Sequence, residues 1–132
     1  MNRLTARVLR GPCLGLALAA LPMAALAHHS TLPFDGDHPT SIHGTVQEFA
    51  WRNPHSYIYL DVKNDAGGVE HWTIETEALI FLRRLGWSKD MMKPGDAISA
   101  IGARAKNGSY TMRCKTLSLA DGRQFACFPN SS

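Results

Sequence analysis

Histidine is the side chain best suited to ligating a transition metal or moving a proton near neutral pH. This chain has six, and all but His71 come before residue 56: His28, His29, His38, His43 and His55. The first two stand together behind an apolar run, in "LPMAALAHHSTLPFD" at residues 21–35. Ala25, Leu26 and Ala27 form the small-x-small pattern of a signal-peptide cut. Cleavage after Ala27 makes His28 the first residue. Its free amine and ring Nδ1 then close one chelate ring. A second imidazole across the metal gives three nitrogens in a T, the arrangement called a histidine brace. His29 offers another route, through the amine, a deprotonated peptide nitrogen and its own ring. Nitrogen donors favour Cu²⁺ along the first transition row. A terminal amine ordinarily titrates at roughly 7.7–8.0, so binding should strengthen as pH rises and protons cease to compete. A mobile tail that happens to begin with two histidines is the plain alternative.

A brace needs a partner ring. His55, in "NPHS" ahead of a strand, is the first candidate, although a histidine in a turn also commonly donates to a nearby carbonyl. His43 is the second; it neighbours Ile42 and should point away from the core. His71 faces Asp61 across a hairpin and reads as a cross-strand pair. His38, ahead of Pro39, reads as solvent-facing. Met91 and Met92 suit a core gap better than a soft-metal site. The scattered acids Asp35, Asp61, Glu70 and Glu75 form no acid–base pair. No nucleophile elbow or phosphate loop occurs, so the sequence carries no catalytic signature.

These residues must be positioned by a small domain. "MNRLTARVLR" is a positive n-region and "GPCLGLALAALPMAA" an apolar h-region, so residues 1–27 read as a signal peptide, with a retained anchor as the rival. Its removal takes Arg3, Arg7 and Arg10 and no acid. The +3 charge of the whole chain then vanishes, which disfavours nucleic acid as a partner. The expected location is the periplasm or the exterior, with no membrane span after processing. Cys114 and Cys127 survive cleavage, and an oxidising compartment favours a disulfide over a thiolate metal site at this spacing.

Residues 28–40 read as an extended arm, residues 41–128 as the domain and residues 129–132 as a frayed tail. Ordered strands are expected from near Ile42. "SIHGTVQEFAW" suits a first strand, with Gly44 allowing a bulge or close approach. "SYIYLDVK" and "VEHWTIE" alternate, and a hairpin opposing Leu60 to Trp72 and Ile58 to Ile74 aligns their apolar faces. "TEALIFLRRLG" has helical spacing at Ala78, Phe81, Leu82 and Leu85, with Thr76 as cap and Gly86 as stop. "AISAIGARA" and "YTMRCKTLSLA" form a second hairpin. A turn at Asp121–Gly122 leads into "RQFACF" and sets Cys127 opposite Thr116. A bulge or one-pair slip would then let it bond to Cys114. One helix between strands three and four of an antiparallel meander implies a mainly β fold, a small OB-like antiparallel β-barrel. An open sheet with a packed helix is the alternative.

The face of strands two and three in such barrels commonly binds sugars or nucleic acid. Here it carries Tyr57, Tyr59 and His71, with Trp51 and Asn53 nearby. Rings can stack on a glycan or a protein partner, although tyrosines are also simply good strand formers.

"AHHS…FD", "IHGTVQEFAWRNPHSYIYLDVK", "GWSKDMMKPGD" and "LADGRQF" resemble a bacterial exported family catalogued as domain of unknown function 6152. The resemblance covers nearly all of the chain after the leader. It implies a small, exported, β-rich protein and places His28, His29, Asn53, Pro54 and His55 within the family pattern. It supplies no reaction. Copper binding by His28 with His55, His29 or His43, in a carrier, buffer or sensor component, is the leading expectation. A non-catalytic binding module for a glycan or periplasmic protein comes second, and a copper redox enzyme third.

Overall fold

The computed structural model describes residues 34–129. The expected leader, His28 and His29 lie outside the described residues. The element order is β1 (Phe34–Ala50), β2 (Tyr57–Lys63), β3 (Val69–Glu75), α1 (Leu79–Arg84), β4 (Ala97–Ala105), β5 (Thr111–Leu119) and β6 (Gln124–Ala126). Among the described residues no helix is long and apolar enough to cross a membrane.

The strands are mainly antiparallel and ordered β3-β2-β1-β4-β5-β6, and β3 also pairs in parallel with β5. The pairings from β1 through β2, β3, β5 and β4 therefore return to β1 as a ring. Inward side chains of every strand share one core. Val46, Ile58, Leu60, Ile74, Ile98, Met112 and Leu117 are almost wholly removed from water. The alternation of the sequence is what allows this, because successive side chains of a strand point to opposite faces. The β2–β3 register opposes Leu60 to Trp72, Ile58 to Ile74 and Asp61 to His71, as expected.

β1 begins at Phe34 rather than near Ile42. Its first part pairs with β4, and its last part, from Thr45, pairs with β2. Thr45 belongs to both pairings, so β1 turns from one neighbour to the other there. Gly44 sits where this happens: a Cβ on it would overlap the Asp61 carbonyl. Between the pairs Asp35–Arg104 and Thr40–Gly102 the register shifts, and residues 36–39 leave the ladder.

Helix α1 is shorter than its apolar spacing suggested. Leu82 is buried, but Phe81 remains 39% exposed. Thr76 does not cap it. Thr76 is itself buried, and its hydroxyl donates to the Ser56 carbonyl at 3.0 Å. Gly86, at φ +87°, ends the helical segment. Trp87 and Met92 then add to the core, and the Trp87 indole donates to the Ala126 carbonyl at 2.8 Å, which fixes β6. Met92 is buried as expected of a gap-filling residue, with Met91 packed beside it.

Cys114 and Cys127 form a disulfide with a Cα–Cα distance of 5.6 Å. The β5–β6 pairing lies one residue from the simple turn register. Thr116 opposes Ala126, and Cys127 donates its N–H to the Lys115 carbonyl. Cys127 then stands across from Lys115, the neighbour of Cys114.

Candidate functional site

The segment Trp51–Ser56 joins β1 to β2 and is held by buried polar contacts. Ser56 is fully buried. Its hydroxyl donates to the Arg52 carbonyl at 3.1 Å, and its own carbonyl accepts the Thr76 N–H at 3.0 Å. The Ser56 N–H donates to the Glu77 carbonyl at 3.3 Å. Asn53 reaches farther. Its side-chain oxygen accepts the Leu79 N–H at 3.1 Å and so serves an otherwise orphaned donor in the first turn of α1. The Asn53–Pro54 peptide is cis. The turn is thus tied to the junction of β3 and α1.

His55 projects from this turn to β3. Its Nδ1 lies 2.6 Å from Glu75 Oε1, with the two side chains 36% and 22% exposed. A carboxylate is an acceptor, so Nδ1 carries the proton in this bond and Nε2 is left with its lone pair in the neutral ring. Among the described residues Nε2 makes no hydrogen bond. Metal-ligating histidines usually have this arrangement, in which a carboxylate orients the ring and raises its basicity.

Glu75 opposes Tyr57 across the β2–β3 ladder and Arg113 on β5. Arg52 lies over the Tyr57 ring, 5.4 Å from its centroid. Burial pushes the Tyr57 phenol above its ordinary value, the Glu75 charge adds to this, and Arg52 opposes it. Tyr59 and Thr73 lie on the same outward face, two cross-strand pairs farther along. Trp51 instead packs against the core and meets Phe49 edge-on.

The other described histidines have partners of their own. His71 Nδ1 pairs with Asp61 at 2.7 Å and is largely exposed. His38 Nδ1 pairs with Asp35 at 3.1 Å. His43 lies 3.1 Å from the Ser99 hydroxyl on β4. It stands about 20 Å along β1 from Ala50, the residue paired with Tyr57. The structure therefore does not bring His43 to the His55 turn. Among the described residues no group of three or more His, Cys, Asp or Glu side chains is placed to hold a metal ion.

The start of β1 lies near the turn. Gly36 and Pro39 line a groove of about 450 Å³ together with Glu77 and Arg113. Glu77 bonds to Ser56, and Arg113 opposes Glu75. From His28 to Phe34 the chain can span about 20 Å when extended.

The contribution of Glu75 is not evident from composition, where it is one acid among several. The hairpin register contained the signal, because opposing Ile58 to Ile74 sets Glu75 across from Tyr57, two residues beyond His55.

The family of unknown function DUF6152 matches residues 16–113, which include this turn, Glu75, the first four strands and the start of β5. The chain belongs to that family. A comparison with curated proteins finds no match.

Proposed function

We propose that this DUF6152 protein is exported to the periplasm and binds a metal ion, copper foremost, as a carrier, buffer or sensor component. His55 supplies Nε2. The amine and ring of His28, or the ring of His29, complete the site after cleavage behind Ala27. The His55–Glu75 bond of 2.6 Å carries this assignment, because it leaves the distal ring nitrogen as the available donor. The groove shared by the start of β1 and Glu77 supports it, since the leading residues then need cross only a short distance. The ring of strands is read as a small closed barrel of the OB kind, with α1 between β3 and β4.

The test compares the chain beginning at His28 with one carrying a single added residue, both titrated with Cu²⁺ against a competing chelator. Affinity should fall with the added residue and with His55→Ala. Equal affinity in all three rejects the assignment.

A second function uses the outward Tyr57–Tyr59 face to bind a glycan or protein. The half-buried rings of both tyrosines on one face favour it. Tyr57→Ala with Tyr59→Ala should then abolish capture without altering copper affinity.

A further inference from the structure

β1 and β2 separate beyond the Thr45–Asp61 pair. From Phe34 to Gly44, β1 pairs with β4 on one edge, apart from residues 36–39. Val62 and Lys63 of β2 pair with β3. Among the described residues, neither stretch has a strand on its other edge. The cleft between them measures about 700 Å³, and Ser41, His43, Asp61, Lys63, Asp65 and Glu70 are among its walls.

Three hydrogen bonds identify which backbone groups face this cleft. Val46 donates to the Asp96 carbonyl and accepts from the Gly95 N–H, both at 2.8 Å, so Val46 bonds toward β4. Antiparallel strands alternate their bonding edge residue by residue. Gly44 and Ile42 therefore also bond toward β4, whereas His43 and Ser41 turn their N–H and C=O to the cleft. On the other wall, Asn64 donates to the Gly68 carbonyl at 3.0 Å, toward β3. Val62 follows it, and Lys63 turns its backbone to the cleft. Ser41, His43 and Lys63 are all exposed.

We propose that this cleft receives a short extended peptide of a partner protein, carrying basic side chains, which adds as a strand to the Ser41–His43 edge of β1. Strand addition draws its affinity from main-chain hydrogen bonds and its selectivity from the side chains around the groove. The edge is short at both ends. Pro39 lacks an N–H and lies in the segment that leaves the ladder, and the Gly44–Asp61 approach closes the other end. Such limits protect against indiscriminate edge pairing while leaving room for one short segment. Asp61, Asp65 and Glu70 outnumber Lys63 around the cleft and favour a cationic guest. Asp61 and Glu70 are held in place by His71 and by the Trp72 indole respectively. The inference stands apart from copper binding, because it uses the backbone of His43 and none of His55 or Glu75.

The probe is a capped heptapeptide of alternating lysine and valine, titrated into the ¹⁵N-labelled protein. The amides of Ser41 and His43 should shift and become protected from solvent exchange. Replacing lysine by glutamate in the peptide should weaken binding at least about tenfold, and so should N-methylation of its alternate amides. Ser41→Pro should do the same without unfolding the protein, since that N–H serves no internal ladder. Equal binding of the methylated peptide, or of peptide to the Ser41→Pro variant, overturns strand addition. Equal binding of the glutamate peptide overturns the charge assignment. Protection that rises with protein concentration alone overturns it in favour of self-pairing. Shifts at these amides with maltohexaose and none with the peptide overturn it in favour of a glycan.

Discussion

Glu75→Gln separates a metal-orienting carboxylate from a merely structural ion pair. In the native protein Glu75 Oε1 accepts the His55 Nδ1 proton at 2.6 Å, a charge-assisted bond. Glutamine keeps the side-chain length and an acceptor oxygen, so the ring keeps its orientation and loses only the negative charge behind it. Glu75→Leu removes both. Because the two side chains are 36% and 22% exposed, solvent screens the pair, and its contribution to stability should be at most about 1 kcal/mol. Loss of such an outer carboxylate typically costs ten- to hundredfold in metal affinity, equivalent to about 1.4–2.8 kcal/mol. The affinity loss should therefore exceed the stability loss. Copper affinity, measured by competition with a chelator at fixed pH, should fall in the order Glu75, Gln, Leu. Thermal midpoints of the metal-free proteins should differ by only a few degrees. If Glu75→Leu binds copper as tightly as the native protein while His55→Ala does not, the carboxylate does not tune the ring. If neither variant changes affinity, the site lies elsewhere.

Three further outcomes test the turn and the fold that carries it. Asn53→Ala removes the acceptor of the Leu79 N–H and should lower stability by about 1 kcal/mol in urea unfolding, with Asn53→Asp retaining most of it. Replacing both Cys114 and Cys127 by alanine should cost about 3 kcal/mol by the same measurement, and reductant should bring the native protein close to that value. The Asp96 carboxyl is held below its ordinary value by the Lys93 N–H and then by the Lys93 ammonium. A depressed folded value stabilises above the ordinary carboxylate range and is lost as pH falls through it. The stability advantage of the native protein over Asp96→Asn should therefore be present at pH 6 and shrink below about pH 4. A constant difference across that range would show that the carboxylate charge is not what Lys93 stabilises.

How far the fold could be read in advance depended on whether local pattern and tertiary packing agreed. They agreed in β2 and β3, where both strands alternate and one register alone joins Leu60 to Trp72 and Ile58 to Ile74. They disagreed at the start of β1. Gly36 and Pro39 gave that stretch the look of a loop, and residues 36–39 do leave the ladder, yet pairing resumes on both sides of them against β4. Thr76 has the chemistry of a helix cap, but burial against Ser56 claimed its hydroxyl, and Asn53 from a distant turn took over the first-turn donor. The β5–β6 register depended on one residue of loop length. Leu119 donates to the Arg123 carbonyl, so three residues rather than two make the turn, and Gly122 takes φ +87°. That choice places Phe125 beside Leu117 on the core side and leads Cys127 to Cys114. The candidate site followed the same division. His55 could be singled out by its type and by the turn around it. The acceptor for its proton could not, because Glu75 differs from the other acids only through the strand register, and a register acts only once the whole hairpin has formed.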